Sequence, residues 1–586
     1  MAKSCFLSSL AALLSAATAN AATLYVSPTG TATTGCTRNA PCALASGASE
    51  SAPGDTVILM DGVYTTSLYL TNSGTTDAWI TFKADECATP IIEGPGVGPN
   101  DDDEGSGVGS AEAEYVRFDG IVSRGWNIGF GNGWAGGVES DEESNGHWEI
   151  ENCISYSNGR TGFTFFSAEG FQLKNSISAH NGSSVVHSWS SGVTLFEAHG
   201  TGNLVEGVIS FENTDAERNT DGSGFIVDEE SNGVTLINNV AFGNAGSCLR
   251  LTDSSGTRFI NNTCYHNSQF GSRATGPTNP GELYFTNGGV TQQGVTFMNN
   301  VIVGTGQAPA GPQPVVNQPP SGWMNNVVTT GSVTFFTDPT GTNPNFVPAA
   351  GATNLIGAGS SGNGVPASDV GFDPNCIVRR TPVMVGSVAR ESWWQYDIDI
   401  DYIKSIGGVA QCFNATTRAG APDIGAYNAG NVTTVAPGSC VPPAPDPDPT
   451  GGTGGTSGTG GTGDVGGTNS GVGGTGAGGT ANTGGASAGS GVPAGGTPNT
   501  GGGAPDAGGA TGGVGLGGAG TGLPGTGGAS GGVNPGTNGG APESGAPGCA
   551  CRVAPGPDHR GSVAALGILG LSLLVRRHRR HARLTR

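Results

Sequence analysis

One phrase recurs along this chain: an apolar residue, a spacer, Asn, two or three mostly apolar positions, and a second Asn. It reads IENCISYSN from Ile150, LKNSISAHN from Leu173, VEGVISFEN from Val205, LINNVAFGN from Leu236 and FINNTCYHN from Phe259. Weaker copies start at Phe297 and Trp323. A short base period with extra residues in some copies implies stacked coils, each carrying a loop of its own length. Asn, Ser and Gly at fixed turn positions between short apolar strands point to a solenoid of parallel strands rather than helices. Two columns of Asn follow. The first is Asn152, Asn175, Asn238, Asn261, Asn299 and Asn325, broken by Gly207; the second is Asn158, Asn181, Asn213, Asn244 and Asn267. Both read as structural ladders, with amides bonded along the axis at about one strand spacing, ~4.8 Å.

The pattern resembles the right-handed parallel β-helix of pectate lyases, polygalacturonases and related enzymes, over residues 23–430. The expected fold class is therefore all-β, a right-handed parallel β-helix solenoid with a disordered Gly/Thr-rich C-terminal stalk. ATLYVSPTGT, then PGDTV, GVY, ITFKA and IIEG, resemble the opening coils of extracellular β-helix lyases. NPNF (residues 343–346) and APDIGAY (421–427) resemble their closing part, where the chain packs back along the coils. The expected organisation is a signal peptide at 1–21, N-terminal cap and first coils at 22–114, repeats at 115–335 and a C-terminal capping segment at 336–440. A Pro/Gly/Thr-rich linker follows at 441–547, then a sorting tail at 548–586 with a Cys motif and a short transmembrane segment.

The two ends carry the case for export. Lys3, an apolar run and Ala19-Asn20-Ala21 form a secretory signal with a small-x-small cleavage site. Near the other end, Gly548-Cys549-Ala550-Cys551, an apolar run over 562–575 and Arg576, Arg577, Arg579 and Arg580 resemble a myxobacterial C-terminal surface-sorting signal. The alternative is an ordinary membrane anchor, although the run is short for a spanning helix. Either implies a secreted protein held at the cell surface or outer membrane by this segment. Cysteine usage fits that compartment. Cys36 with Cys42 is the first pair expected and Cys376 with Cys412 the second, while Cys153, Cys248 and Cys264 read as buried small residues.

The formal net charge is −22, and loss of both ends would bring it near −30. Nucleic acid is excluded as a partner on that ground. The partner expected is a polysaccharide substrate, and the chain is expected to be a monomer. An acidic polysaccharide would itself be repelled unless cations bridged it, which makes calcium the expected cofactor. Asp101, Asp102, Asp103 and Glu104 lie in a Gly-rich loop that reads as solvated, with calcium binding as the alternative.

Alternation places Phe163/Phe165, Val193/Leu195, Phe225/Val227 and Leu249/Leu251 inward. One outward column is then Thr164, Thr194, Ile226 and Arg250. Another is Phe166, Phe196, Asp228 and Thr252, and just beyond come Ser167, Glu197, Glu229 and Asp253. Three carboxylates about 5 Å apart on successive coils cannot all stay ionised unaided. The column is a calcium site (Glu197, Glu229, Asp253), an acid/base pair, or side chains fanned into solvent. Arg250 sits one column over. Long loops carrying His187, Trp189, Asp215, Glu217, Arg218 and Asp221 would wall a groove, with His187, Trp189 and Arg218 as substrate-binding candidates.

Two family comparisons bear on chemistry. SSGVTLF (Ser190–Phe196) and DGSGFIVD (Asp221–Asp228) match the framework of family 9 polysaccharide lyases, but Ser190, Ser191 and Thr194 replace its calcium aspartates and Ile226 its catalytic lysine. Asn219-Thr220-Asp221-Gly222 matches the first polygalacturonase motif; Ala245-Gly246-Ser247-Cys248 lacks the two aspartates of the second, and His266 precedes Asn267 rather than Gly. An elimination site could instead use Arg250 or His266 as base, with a cation on the acidic column. A hydrolase could use Asp228 with Glu197 or Glu229. The catalytic candidates are Arg250, Asp228, Glu229, Asp221 and His266; Lys174 belongs to another face. The leading expectation is a polysaccharide-degrading enzyme, lyase-like on an acidic glycan. The alternatives are a glycoside hydrolase and a non-catalytic glycan-binding or adhesive β-helix.

Overall fold

In the computed structural model the repeated phrase forms the corner of each coil. The structure describes residues 21–96, 105–135, 138–139, 146–186, 189–217, 221–269, 281–286, 293–305, 313–316, 322–362, 364–380, 395–418, 420–430, 434–438 and 440. All fall within one compact unit, Met1–Gly461. The signal peptide apart from its last residue, the loop aspartates 101–103 with Glu104, the linker and the sorting tail lie outside the described residues.

Three parallel sheets run the length of a right-handed β-helix, with eleven, ten and nine strands among the described residues. One coil shows the pattern. Trp148–Glu151 lies in the first sheet, Ile154–Tyr156 in the second and Phe163–Phe166 in the third. The next coil repeats it in register, Ile150 pairing Leu173, Ser155 pairing Ser178 and Phe163 pairing Val193. Coils start as early as Thr23–Val26, which pairs Thr56–Leu59. The short helix Leu44–Glu50 buries Leu44, Gly47 and Ala48 against this first coil.

The first turn needs a left-handed residue. Asn152, Asn175, Gly207, Asn238, Asn261, Asn299 and Asn325 all occupy it, with φ between 45° and 67°. Asn tolerates this conformation because its short polar side chain bonds locally. These side chains point outward, Asn152 to Asp119, Asn238 to the Ser368 carbonyl and Asn261 to that of Asp423. The amide ladder at this corner is one residue later: Asn239, Asn262, Asn300 and Asn326 are joined Nδ2 to Oδ1 at 2.8–3.1 Å. The expected first ladder is thus displaced by one position.

The second Asn column is a true ladder. Asn158, Asn181, Asn213, Asn244 and Asn267 are buried and joined Nδ2 to Oδ1 at 2.8–2.9 Å, each Oδ1 also accepting the preceding backbone N–H. It ends on buried Glu282, whose carboxyl accepts from the Asn267 N–H at 2.8 Å and its Nδ2 at 2.7 Å. Burial raises the Glu282 carboxyl to about 8, against the pull of these two donors. Inside the ladder, Ser155, Ser178 and Ser210 donate to the Gly162, Gly192 and Gly224 carbonyls. A Cβ at Gly162 would lie 2.3 Å from the Ser178 hydroxyl, so this glycine answers close approach.

Among the described residues there are two apolar cores. One fills the solenoid, with stacks such as Phe82–Phe118 and Phe130–Phe163. The other lies outside it. Ile154, Ile177, Ile209, Val240 and Val301 face outward from the second sheet and are buried by Phe336, Phe346, Leu355, Phe372, Tyr396, Ile403 and Tyr427. The C-terminal segment therefore packs back along the coils. Arg418 pins it, donating to the Asn238 side chain and to the Ser368, Gly425 and Ala426 carbonyls. A buried pair, His180 to Glu212 at 3.1 Å, is held there too, Glu212 accepting the Gln395 N–H at 2.7 Å.

Cys36–Cys42 and Cys376–Cys412 are bonded as expected. Cys248 and Cys264 form a disulfide instead of lying as separate buried residues, because both point inward on adjacent coils, with Cα atoms 5.6 Å apart. Cys87–Cys440 joins the first coils to the end of the C-terminal segment. Cys153 is free and buried. Among the described residues no helix is long and apolar enough to cross a membrane.

Candidate functional site on the third sheet

The outward face of the third sheet is not the one covered by the C-terminal segment. Its register follows from alternation. Thr164 pairs Thr194, Thr194 pairs Ile226, and Ile226 pairs Arg250, which pairs Tyr284 on the next coil. Phe166 pairs Phe196, which pairs Asp228. The expected columns are therefore in place.

At the centre is a polar chain across two coils and a loop. Asp221, buried on the loop before Phe225–Asp228, forms an ion pair with Arg250. Arg250 Nε donates to Thr252 Oγ1 at 3.2 Å, and the Thr252 side chain is close enough to Asp228 to pull its carboxyl pKa down. Asp215 Oδ2 accepts the Asp221 N–H at 3.3 Å and is itself buried. Burial lowers the Arg250 pKa, and the neighbouring Tyr284 and Asp215 side chains oppose that shift. Burial raises the Asp228 carboxyl to about 6, partly offset by Thr252 and reinforced by Glu229 and Asp253. Asp228 thus holds its proton to higher pH than an ordinary carboxyl.

Ser167, Glu197, Glu229 and Asp253 occupy equivalent left-handed turn positions, with φ of 48°, 52°, 33° and 43°. Ser167 donates to Glu197 Oε2 at 3.2 Å. Glu229 is exposed; Glu197 and Asp253 are half-buried. Among the described residues, the one set of three His, Cys, Asp or Glu with ligand atoms within 4.8 Å of one another is Cys36, Cys42 and Glu50. Two of those sulfurs are in a disulfide, so that set holds no metal. The three carboxylates of the turn column do not converge in this way.

Of the other candidates, Trp189 is 53% exposed with φ 61°, an uncommon conformation for a bulky residue. His187, Arg218, Asn219 and Thr220 lie outside the described residues. His266 is not part of the centre. It leaves the second sheet, stacks on Tyr265 and meets the Gly331 carbonyl at 3.2 Å under the C-terminal segment. Burial lowers its pKa. Lys174 lies on the first sheet, in register with Glu151 and Glu206. Tyr284 escaped the sequence reading because a long insert separates its strand from Asn267; its one signal is alternation in Gly281–Thr286.

No protein-family model and no curated protein matches the chain. Solved structures similar to it include pectate lyase Pel9A, at 18% identity over 59% of this chain and 94% of that one, TM-score 0.41. A rhamnogalacturonan lyase aligns at 16% over 54% and 90%, TM-score 0.38. The GH136 lacto-N-biosidase of Eubacterium ramulus aligns at 13% over 53% and 68%, TM-score 0.29. At such scores the fold assignment rests on the strand pairing itself.

Proposed function

We propose that the chain is a polysaccharide-degrading enzyme working on the outward face of its third sheet. The observation that carries this is the chain Asp221–Arg250–Thr252–Asp228, with Glu229 and Asp253 beside it. Its most direct use is hydrolytic. Protonated Asp228 gives its proton to the leaving glycosidic oxygen as the C–O bond breaks, and ionised Glu229, Glu197 or Asp253 takes a proton from the water that bonds to the anomeric carbon. Arg250, held by Asp221, orients Asp228 through Thr252.

The second reading is elimination on an acidic glycan. Its support is the central position of Arg250 and the lowering of its pKa by burial. It requires a cation to offset the surrounding carboxylates, and calcium on the Glu197, Glu229 and Asp253 side chains would supply it if they turned inward together. A polysaccharide panel with and without calcium separates the readings. Reducing ends without ultraviolet-absorbing unsaturated product mean hydrolysis; calcium-dependent unsaturated product means elimination. Inertness toward the whole panel would leave a non-catalytic binding protein.

We further propose that the protein is exported and held at the cell surface by its C-terminal tail. The signal-like first 21 residues, the cysteine motif with its Arg cluster and four disulfides support this. Intact mass of the native protein tests processing: retention of residues 576–586 on displayed protein would rule it out.

A further inference from the structure

One coil departs from the left-handed turn that its neighbours build with asparagine. Gly207 takes that place, at φ 67°, between Asn175 and Asn238 of the adjacent coils. A Cβ there would lie 2.8 Å from Asn175 Oδ1 and 3.6 Å from Val370 of the C-terminal segment. The missing side chain leaves a cleft of about 250 Å³ between this corner and residues 368–370. Glu151, Lys174 and Glu206 line it, in register on three successive coils of the first sheet. They set charges of alternating sign along the axis, at about one strand spacing, ~4.8 Å. Lys174 is half-buried and closes no ion pair among the described residues. Glu206 is half-buried too; burial raises its pKa, Lys174 opposing the shift and Glu151 adding to it. Asn175 Nδ2 donates to Glu151 at 3.3 Å, which leaves its Oδ1 toward the space over Gly207. The far wall is fixed. Asn238 donates to the Ser368 carbonyl and accepts from Arg418, and Asp369 accepts the Thr416 and Asn428 N–H groups.

We infer that this cleft binds an uncharged polyhydroxylated ligand, a single sugar unit, at a site separate from the third-sheet strip. The walls fix the ligand class. Pockets for drug-sized ligands start near about 300 Å³, so this cleft admits a smaller molecule. A cation seated against Glu206 would meet the Lys174 ammonium one coil away, and an anion seated on Lys174 would meet a carboxylate on either side. A hydroxyl answers both signs. It donates to a carboxylate and accepts from the ammonium, and such charge-assisted hydrogen bonds are stronger than neutral ones. Neighbouring hydroxyls of one ring can engage Glu206 and Lys174 together, with Asn175 Oδ1 as a further acceptor. No three carboxylates converge at the cleft among the described residues, so it is not built for a metal ion.

The inference is independent of cleavage on the third sheet, and its test reads binding alone. The full protein is titrated with glucose, galactose, mannose, xylose, rhamnose and N-acetylglucosamine, followed by saturation-transfer NMR. Galacturonate and glucosamine are run beside them as the anionic and cationic probes, and calcium chloride by isothermal titration. At least one neutral sugar should bind, in preference to the charged probes. Gly207→Asn should abolish that binding with an unchanged thermal midpoint, because asparagine fills the same left-handed turn on the neighbouring coils. Glu206→Gln and Lys174→Met should each weaken it roughly tenfold, the loss of one charge-assisted hydrogen bond. Should Gly207→Asn lower the midpoint, these two variants, which leave the turn untouched, decide the matter. Sugar binding that survives Gly207→Asn lies elsewhere, the third-sheet strip included, and overturns the cleft. Preference for a charged probe or for calcium, or silence toward every neutral sugar, overturns it as well.

Discussion

Asn213→Ala should be among the most damaging single substitutions in the solenoid. The Asn213 carboxamide oxygen accepts the Asn181 N–H at 3.1 Å and Asn181 Nδ2 at 2.9 Å. Its Nδ2 group donates to the Ser178 carbonyl, Ser210 Oγ and Asn244 Oδ1. The site is fully buried, so water cannot replace these partners. Alanine orphans the Asn181 N–H and leaves Asn181 Nδ2 and Asn244 Oδ1 each short of a bond. At about 1–3 kcal/mol per unsatisfied buried group, the loss is roughly 3–5 kcal/mol. Asn175→Ala is the control. That residue makes one exposed bond, to Glu151 at 3.3 Å, and sits at φ 45°. Its cost is mainly the left-handed backbone, about 1 kcal/mol, and Asn175→Gly should recover most of it. Asn213→Gly should recover nothing, since residue 213 is not left-handed. Denaturant midpoints from tryptophan fluorescence and far-ultraviolet circular dichroism compare the four variants. Equal costs at the two sites, or rescue by glycine at 213, would show that the stacked amides add little to the coil.

Other outcomes follow from the ionisable groups. If Asp228 is the acid, kcat/KM should fall as pH rises through about 6, and Asp228→Asn should remove that limb along with most activity. Glu282 has a raised folded pKa, so its stabilisation is complete below about 4.5 and lost as pH rises through about 8. Glu282→Gln, measured by thermal melts from pH 5 to 9, should therefore lag the parent most at low pH, and a constant gap would refute the shift. Glu229→Gln should weaken any calcium dependence while Lys174→Ala leaves it unchanged, as isothermal titration would show. Glu212→Ala removes the acceptor for Gln395 N–H and His180, so limited proteolysis should cut the C-terminal segment sooner.

What the sequence discloses here depends on how local the cause is. Coil stacking was legible because the turn at Asn152, Asn175 and Asn238 demands a left-handed residue at a fixed place in every repeat. The third-sheet register was legible because Phe163/Phe165 and Val193/Leu195 alternate without a break. The first ladder slipped by one because LINN and FINN hold two adjacent Asn residues with opposite jobs, the first bending the chain and the second stacking. The acidic column was placed in register, yet register says nothing of side-chain direction at a left-handed turn. The second core was only partly foreseen. Ile154, Ile177 and Ile209 are apolar on the outer face, and their cover comes from well over a hundred residues away. Distant partners such as Asp221 with Arg250 depend on a loop conformation that no periodicity encodes.

The Cys87–Cys440 bond has a mechanical consequence. It closes a covalent ring of sequence separation 353 that takes in the coils from Val116 onward. Tension applied at residue 440 and resisted at residue 21 runs through residues 21–87 and then across the disulfide. The coils from Val116 to Met324, with the third-sheet strip they carry, lie off that load path. A pull on the end of the folded part would stretch the opening coils first, and reduction of one bond would redirect the same force through every repeat in series.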